Sequence, residues 1–472
     1  MVFSSPAFLF AFLPVTFLIY RIIPGRGKAS NTAKNALLTL LSLVFYAFGE
    51  PVYVLLLLAS VVVNYLCGLL LQREGRAWQK AVLAGTVAVN LGLLCVFKYA
   101  GFAVATLNSL GISLPVPEIA LPVGISFFTF QGLSYVIDCY RDRTLISRSL
   151  LKLALYISFF PQLIAGPIVK YHDVSLQIDS RETNPTLTAQ GIRRFIVGLS
   201  KKLLIANTVG RMADLAFGAG SALDIRSAWL GALCYCLQIY FDFSGYSDMA
   251  IGLGKMFGFS FQENFNYPFA SGSIQEFWRR WHISLSTWFR DYLYIPLGGN
   301  RKGKARTQLN KCLVFFCTGL WHGASWNFVL WGLWHGVFII LEGLLPPPGK
   351  LRRTLWRPLT LLVVLLGFVL FRAETLAQAG NIFANMAAGF DFTLEGASLL
   401  RAMLTPMNLL ALTAGCVFSL PLLPRIKALA EGENTGAAVL HVGSYVCAVV
   451  LFILCVMHLS GAEFDPFIYF RF

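Results

Sequence analysis

The sequence has six histidines, His172, His282, His322, His335, His441 and His458, in a 472-residue chain that is 57% hydrophobic and only 13% charged. An ionisable side chain is costly to bury in such surroundings, so each histidine marks a candidate site of chemistry. His322 lies in the string W-H-G-A-S-W-N, residues 321–327. Basic stretches flank this region at 301–311 and 350–357. If both lie on one side of a membrane, the chain between them must turn back. Lys311 to His322 covers roughly 16 Å as helix, about half a hydrocarbon core. Gly323, Ala324 and Ser325 supply small residues for the turn. A neutral imidazole held there, beside Trp321 and near Asn327, has the state a general base needs before it takes a proton from a hydroxyl. The competing role is a histidine hydrogen-bonded between helices.

A second group lies in residues 275–296. As one helix, this stretch places Arg279, His282, Ser286 and Arg290 on a polar stripe, with Phe277, Trp281, Leu285, Trp288 and Tyr292 on an aromatic face. That helix would line a tunnel for an anionic donor, with His282 facing inward, or lie at the interface with snorkelling arginines. Asp242 and Asp248 sit beside an apolar run and need partners. An ion pair with an arginine of 279–290 is expected, and orienting a catalytic group is the second reading. His335 would stand about 20 Å from His322 along a straight helix, too far to share a metal. Packing or hydrogen bonding is its expected role. His172, His441 and His458 lack an evident polar companion and are read as structural or interfacial. No phosphate-binding glycine loop or metal-ligand spacing is present, and Ser325 lacks the glycine frame of a nucleophile elbow.

These residues need elements suited to lipid. Soluble domains carry about a quarter charged residues, and this chain falls far below that. The apolar runs are continuous rather than alternating, which favours spanning helices over a barrel. The net charge of +15 comes from bases in short loops between apolar runs, where the positive-inside rule places them. It therefore points to a lipid bilayer and not to nucleic acid. Loops 21–34, 73–80, 141–152, 301–311 and 350–357, and the pair Arg425 and Lys427, read as cytoplasmic. The N-terminus and the tail 461–472 then lie outside. The run 6–20 is read as a retained helix and not a cleaved signal. The pattern predicts roughly ten or eleven transmembrane helices. Between about 190 and 310 the runs are shorter and broken by charge and glycine, which predicts re-entrant or interfacial segments around a site. The ten cysteines are scattered and are expected to be buried free thiols.

Several strings resemble one family. They are L-P-V-G-I-S-F-F-T-F-Q (121–131), F-F-P-Q-L-I-A-G-P-I (159–168), Q-I-Y-F-D-F-S-G-Y-S-D-M-A (238–250), N-F-N-Y-P-F (264–269), F-W-R-R-W-H-I-S-L-S-T-W-F-R-D-Y-L-Y-I-P-L-G-G-N (277–300) and T-G-L-W-H-G-A-S-W-N-F-V-L-W-G-L-W-H-G (318–336). Nearly the whole chain resembles the membrane-bound O-acyltransferases, within their alginate O-acetyltransferase subfamily. The resemblance implies an all-α polytopic funnel forming a single membrane domain over 1–472. Its parts would be N-terminal helices in 1–115, a motif-bearing core in 116–345 and C-terminal helices in 346–472. It implies acyl transfer from a cytoplasmic donor toward a hydroxyl at or beyond the other face. His322 falls on the family's essential histidine and His282 on its second motif histidine. By the same resemblance the donor is acetyl-CoA, with no bound cofactor and no metal. The location is the bacterial inner membrane, the acceptor is an exported polysaccharide such as alginate, and an extracytoplasmic serine hydrolase-like protein completes the transfer. Peptidoglycan, teichoic acid or a lipid are alternative acceptors. A transporter is the rival from another class, but the paired broken helices of related halves that many transporters show are not found.

Overall fold

Continuous apolar sequence leaves the backbone no solvent for its N–H and C=O groups, and a helix satisfies them within each segment. The computed structural model is helical accordingly, with no strand among the described residues, which are 1–23, 27–345, 349–422, 424, 426, 428, 435–461 and 467–468. Arg425, Lys427 and most of the closing tail lie outside them. The helices gather into two compact units, one of residues 1–195 and 247–263, the other of 196–246 and 264–472.

The first unit contains α1 (Leu13–Ile22), α2 (Lys28–Ala47), α3 (Tyr53–Leu70), α4 (Arg76–Leu94), α5 (Ala100–Ser109), α6 (Ile125–Arg141), α7 (Leu150–Ser158), α8 (Phe160–Leu163), α9 (Tyr171–Asp179) and most of α10 (Pro185–Ser200). α4 continues through a π-helical turn, Cys95–Tyr99, into α5, giving an apolar length of 34 residues. α6 is buried along nearly all its length and packs on α3 and α4. Asn64 of α3 and Asn90 of α4 exchange amide hydrogen bonds of 3.2 and 3.1 Å, a polar link suited to helices in an apolar medium. Phe3, Phe8, Phe45 and Phe160 form an aromatic cluster with centroids 5.0–6.4 Å apart.

The second unit contains α11 (Asn207–Phe217), the greater part of α12 (Ile225–Met256), α13 (Ile274–Arg280), α14 (Ile283–Phe289), α15 (Gly303–His322), α16 (Trp326–Leu344), α17 (Lys350–Arg372), α18 (Leu376–Ala388), α19 (Leu394–Met403), α20 (Pro406–Phe418) and α21 (Thr435–Gly461). α15 and α16 form a hairpin whose closeness depends on glycine. A Cβ at Gly319 would overlap the Phe328 carbonyl oxygen, and one at Gly332 the Phe315 carbonyl oxygen. Small residues at facing positions are how helices approach closely without a hydrophobic drive between them.

Among the described residues, five helices are long and apolar enough to span a membrane: Tyr53–Leu70, Arg76–Ser109, Trp326–Leu344, Thr354–Arg372 and Val442–Gly461. The pair α19 and α20, bent by 65°, makes a sixth if it is one span. α2, α12 and α15 are also 20, 32 and 20 residues long, but each carries polar side chains that lower its average hydropathy. The region read as broken, about 190–310, breaks only in its second half: α12 runs unbroken for 32 residues, and after it come a 3-10 turn, Pro268–Ala270, the seven-residue α13 and α14, and a π turn, Arg290–Tyr294.

Candidate active site

His322 is the last residue of α15. Gly323 and Ser325 are extended, and α16 begins at Trp326, so the G-A-S sequence makes the turn its composition suggested. The unsatisfied carbonyls of the last turn place partial negative charge at this end of α15. That charge favours a cation there, typically by about 0.3–1 kcal/mol. His322 is buried, with ring centroids 5.0 Å from Trp321, 5.0 Å from Trp331 and 5.2 Å from Phe371. It faces a narrow cavity walled also by Ile239, Phe243, Trp281, Phe368 and Ile468, with room for about one water molecule.

His282 reaches the same place by another route. Residues 275–296 do not form one helix: the chain breaks at Trp281–His282, and His282 adopts left-handed backbone angles, φ 44° and ψ 53°. A residue with a Cβ pays strain there and stays only when its surroundings hold it. Asn264 does this. Its carbonyl accepts the Ile283 N–H at 3.0 Å, and its side-chain Oδ1 accepts the Ser284 N–H at 3.2 Å and the Ser284 hydroxyl at 2.9 Å. The same Oδ1 lies 3.1 Å from His282 Nδ1. A backbone N–H can only donate, so the Asn264 atom is an acceptor oxygen and His282 Nδ1 must carry the hydrogen. That leaves Nε2 with the lone pair, and it has no hydrogen-bond partner among the described residues. The rings of His282 and His322 are 6.4 Å apart, with Trp321 5.9 Å from His282.

The break disperses the anticipated polar stripe. Arg279 is exposed, Ser286 donates to the Trp278 carbonyl at 3.2 Å, and Arg290 is exposed and paired with Asp291 at 2.7 Å. Asn327 donates to the Ala373 carbonyl at 2.5 Å, tying α16 to the end of α17. The acids also choose other partners than the arginines of 279–290. Asp242 pairs with Lys202 at 2.8 Å and accepts the Ile468 N–H at 2.7 Å, while Asp248 accepts from Arg194 Nε at 2.7 Å. The segment bearing Lys202 approaches α12 at Gly245, where a Cβ would lie 2.7 Å from the Gly198 carbonyl. A neighbouring helix thus neutralises Asp242 before any arginine farther along the chain can.

His335 is fully buried between Trp278 and Trp331, with centroids at 5.2 and 5.3 Å. Neither of its nitrogens has a hydrogen-bond partner among the described residues, so of the two expected roles it is packing, against aromatic rings, that the structure shows. His172, read as lacking a polar companion, has two: its ring lies 2.8 Å from Asp138 and 3.1 Å from Asp173. No group of three or more potential metal ligands occurs among the described residues. Sequence reading did not single out Asn264 or Lys202. Asn264 stood inside the quoted N-F-N-Y-P-F string, and its polarity among aromatics was the available signal.

Several helices long and apolar enough to span a bilayer define a multi-pass membrane protein, and its second unit holds a buried histidine pair beside a small cavity. The chain belongs to the membrane-bound O-acyltransferase family, whose model matches residues 41–347, and it is an O-acyltransferase. It is similar to "Probable alginate O-acetylase AlgI" of Azotobacter vinelandii, 41% identical with all of both chains covered. It is 44% identical to the protein of the same name in Pseudomonas aeruginosa, over 86% of this chain and 78% of that one. It is also 37% identical to "Peptidoglycan O-acetyltransferase" of Helicobacter pylori, over 84% of this chain and 81% of that one.

Proposed function

We propose that the protein takes acetyl groups from a cytoplasmic thioester, acetyl-CoA, and passes them across the bacterial inner membrane for O-acetylation of an exported polysaccharide such as alginate. The observation that carries this reading is a buried histidine at a helix C-terminus, facing a small cavity and ringed by aromatic side chains. His322 takes the hydroxyl proton as the oxygen bonds to the acetyl carbonyl carbon. The carbon–sulfur bond then breaks, and the thiolate leaves and receives the proton. The C-terminal end of α15 stabilises the positive charge that grows on the imidazole. His282, fixed by Asn264, supports the site through the lone pair on its Nε2. The acetyl group passes either directly to the acceptor or through a carrier group, and a serine hydrolase-like extracytoplasmic partner performs final transfer. In this reading α2, α12 and α15 also cross the bilayer, raising the five or six spans to eight or nine, closer to the expected ten or eleven.

The Helicobacter relative supports a second reading, acetylation of peptidoglycan. Removing the gene and measuring ester-linked acetate separately on secreted polysaccharide and on peptidoglycan tests both. Loss confined to the secreted polymer supports the first reading, and loss confined to peptidoglycan overturns it.

A further inference from the structure

Two basic loops well separated in sequence meet in the first unit. Gln72 follows the end of α3, and Arg143, Thr144, Ile146 and Arg148 lie between α6 and α7; together they line one open pocket. The loop backbone is anchored, since Tyr65 of α3 donates to the Arg148 carbonyl at 3.1 Å and Tyr135 accepts the Ser147 N–H at 3.3 Å. Arg143 and Arg148 are exposed, and neither guanidinium is engaged by another side chain among the described residues. The adjacent carboxylate, Asp142, accepts the Thr144 N–H at 2.9 Å and its hydroxyl at 2.7 Å. It lowers the local positive charge but leaves both arginines open to a ligand.

The surroundings say what kind of ligand. α3 is an apolar span with only 28% of its length buried, and Leu66 and Leu70 face outward on its last turns. Trp78 is also outward-facing; its indole donates to the Leu70 carbonyl at 3.0 Å and lies 4.9 Å beneath the Arg73 guanidinium. An exposed tryptophan with bases at the end of an apolar helix marks the boundary between hydrocarbon and water. We propose that this pocket binds the phosphate of an anionic phospholipid, with the acyl chains along the outward face of α3. Paired guanidiniums match phosphate oxygens in charge and geometry, and both loops are those that charge bias assigns to the cytoplasmic leaflet, where anionic lipids attract bases. A soluble phosphate would use the arginines but would leave the apolar face unexplained. The proposal does not depend on the reaction at His322.

The test is native mass spectrometry of the full chain in detergent, given equal amounts of phosphatidylglycerol and phosphatidylethanolamine, with pyrophosphate as a soluble competitor. The wild type should retain phosphatidylglycerol preferentially. The R143Q/R148Q variant should lose that preference by about 30-fold, with an unchanged melting temperature because both side chains are exposed, while R143K/R148K should keep much of it. Equal retention of the two lipids, or undiminished preference in R143Q/R148Q, overturns the proposal. Binding of pyrophosphate without selective lipid retention also overturns it and assigns the pocket to a soluble phosphate.

Discussion

His322 and His282 stand 6.4 Å apart in one unit, yet one ends a helix and the other interrupts what looked like one. Close packing of α15 on α16 through glycine places His322, so its position follows from contiguous sequence. An asparagine from a separate loop holds a left-handed residue to place His282, so its position follows from a long-range contact. A histidine carried by a hairpin should be lost only with the hairpin. One carried by a clamp should be lost with a single hydrogen-bonding side chain.

The largest expected effect is at His322 itself. His322→Ala should lower acetyl transfer at least about 100-fold, the lower end of what a general base contributes, with normal protein level in the membrane. Next is the clamp. Asn264→Ala should reduce turnover by roughly tenfold or more by freeing the His282 tautomer and orientation, with a smaller change in KM. Asn264→Asp keeps an acceptor for Nδ1–H and the Ser284 donors, so it should recover part of the rate and shift the pH–rate profile. Equal rates in the two variants would break the clamp account. The hairpin is challenged by Gly332→Ala, which should cost about 1–3 kcal/mol by overpacking against Phe315, read as a lowered melting temperature in detergent.

What could be read from the sequence divides along the same line. The turn at Gly323–Ser325, the helical hairpin and the short broken elements that follow α12 were visible because small residues and apolar run lengths act locally, whereas the unbroken 32 residues of α12 were not. The polar stripe on 275–296 was misplaced because periodicity assumes an unbroken helix, and the break is imposed by Asn264, which is eleven positions before the start of that stretch. Asp242 was matched to the wrong bases because charge alone does not say which helix crosses α12 closely. Gly245 and Lys202 decide that.

Smaller effects are expected outside the site. Arg279→Ala with Arg290→Ala should change stability by no more than about 0.5 kcal/mol, because both side chains are exposed; a large loss of acetyl transfer would restore them to the donor path. His172 is a control histidine, half-exposed and set by ordinary electrostatics. Its hydrogen bond to Asp138, with a further one to Asp173, pushes its pKa up to about 10. The folded value lies above the unfolded one, near 6.5, so the stabilisation is complete below about pH 6.5 and is lost as pH rises through about 10. Melting temperatures of wild type and His172→Gln should differ modestly at pH 6 and converge above pH 10, and a difference that grows with pH would reverse the assignment.

The role proposed for His322 is to carry the proton in acyl transfer. The direct measurement is the ester-linked acetate of secreted polysaccharide from cells carrying His322→Ala, beside cells carrying the wild type at matched membrane protein level. Near-complete loss of acetate is expected, with the protein present and folded. Acetate retained at the wild-type level would contradict it and remove His322 from the chemistry.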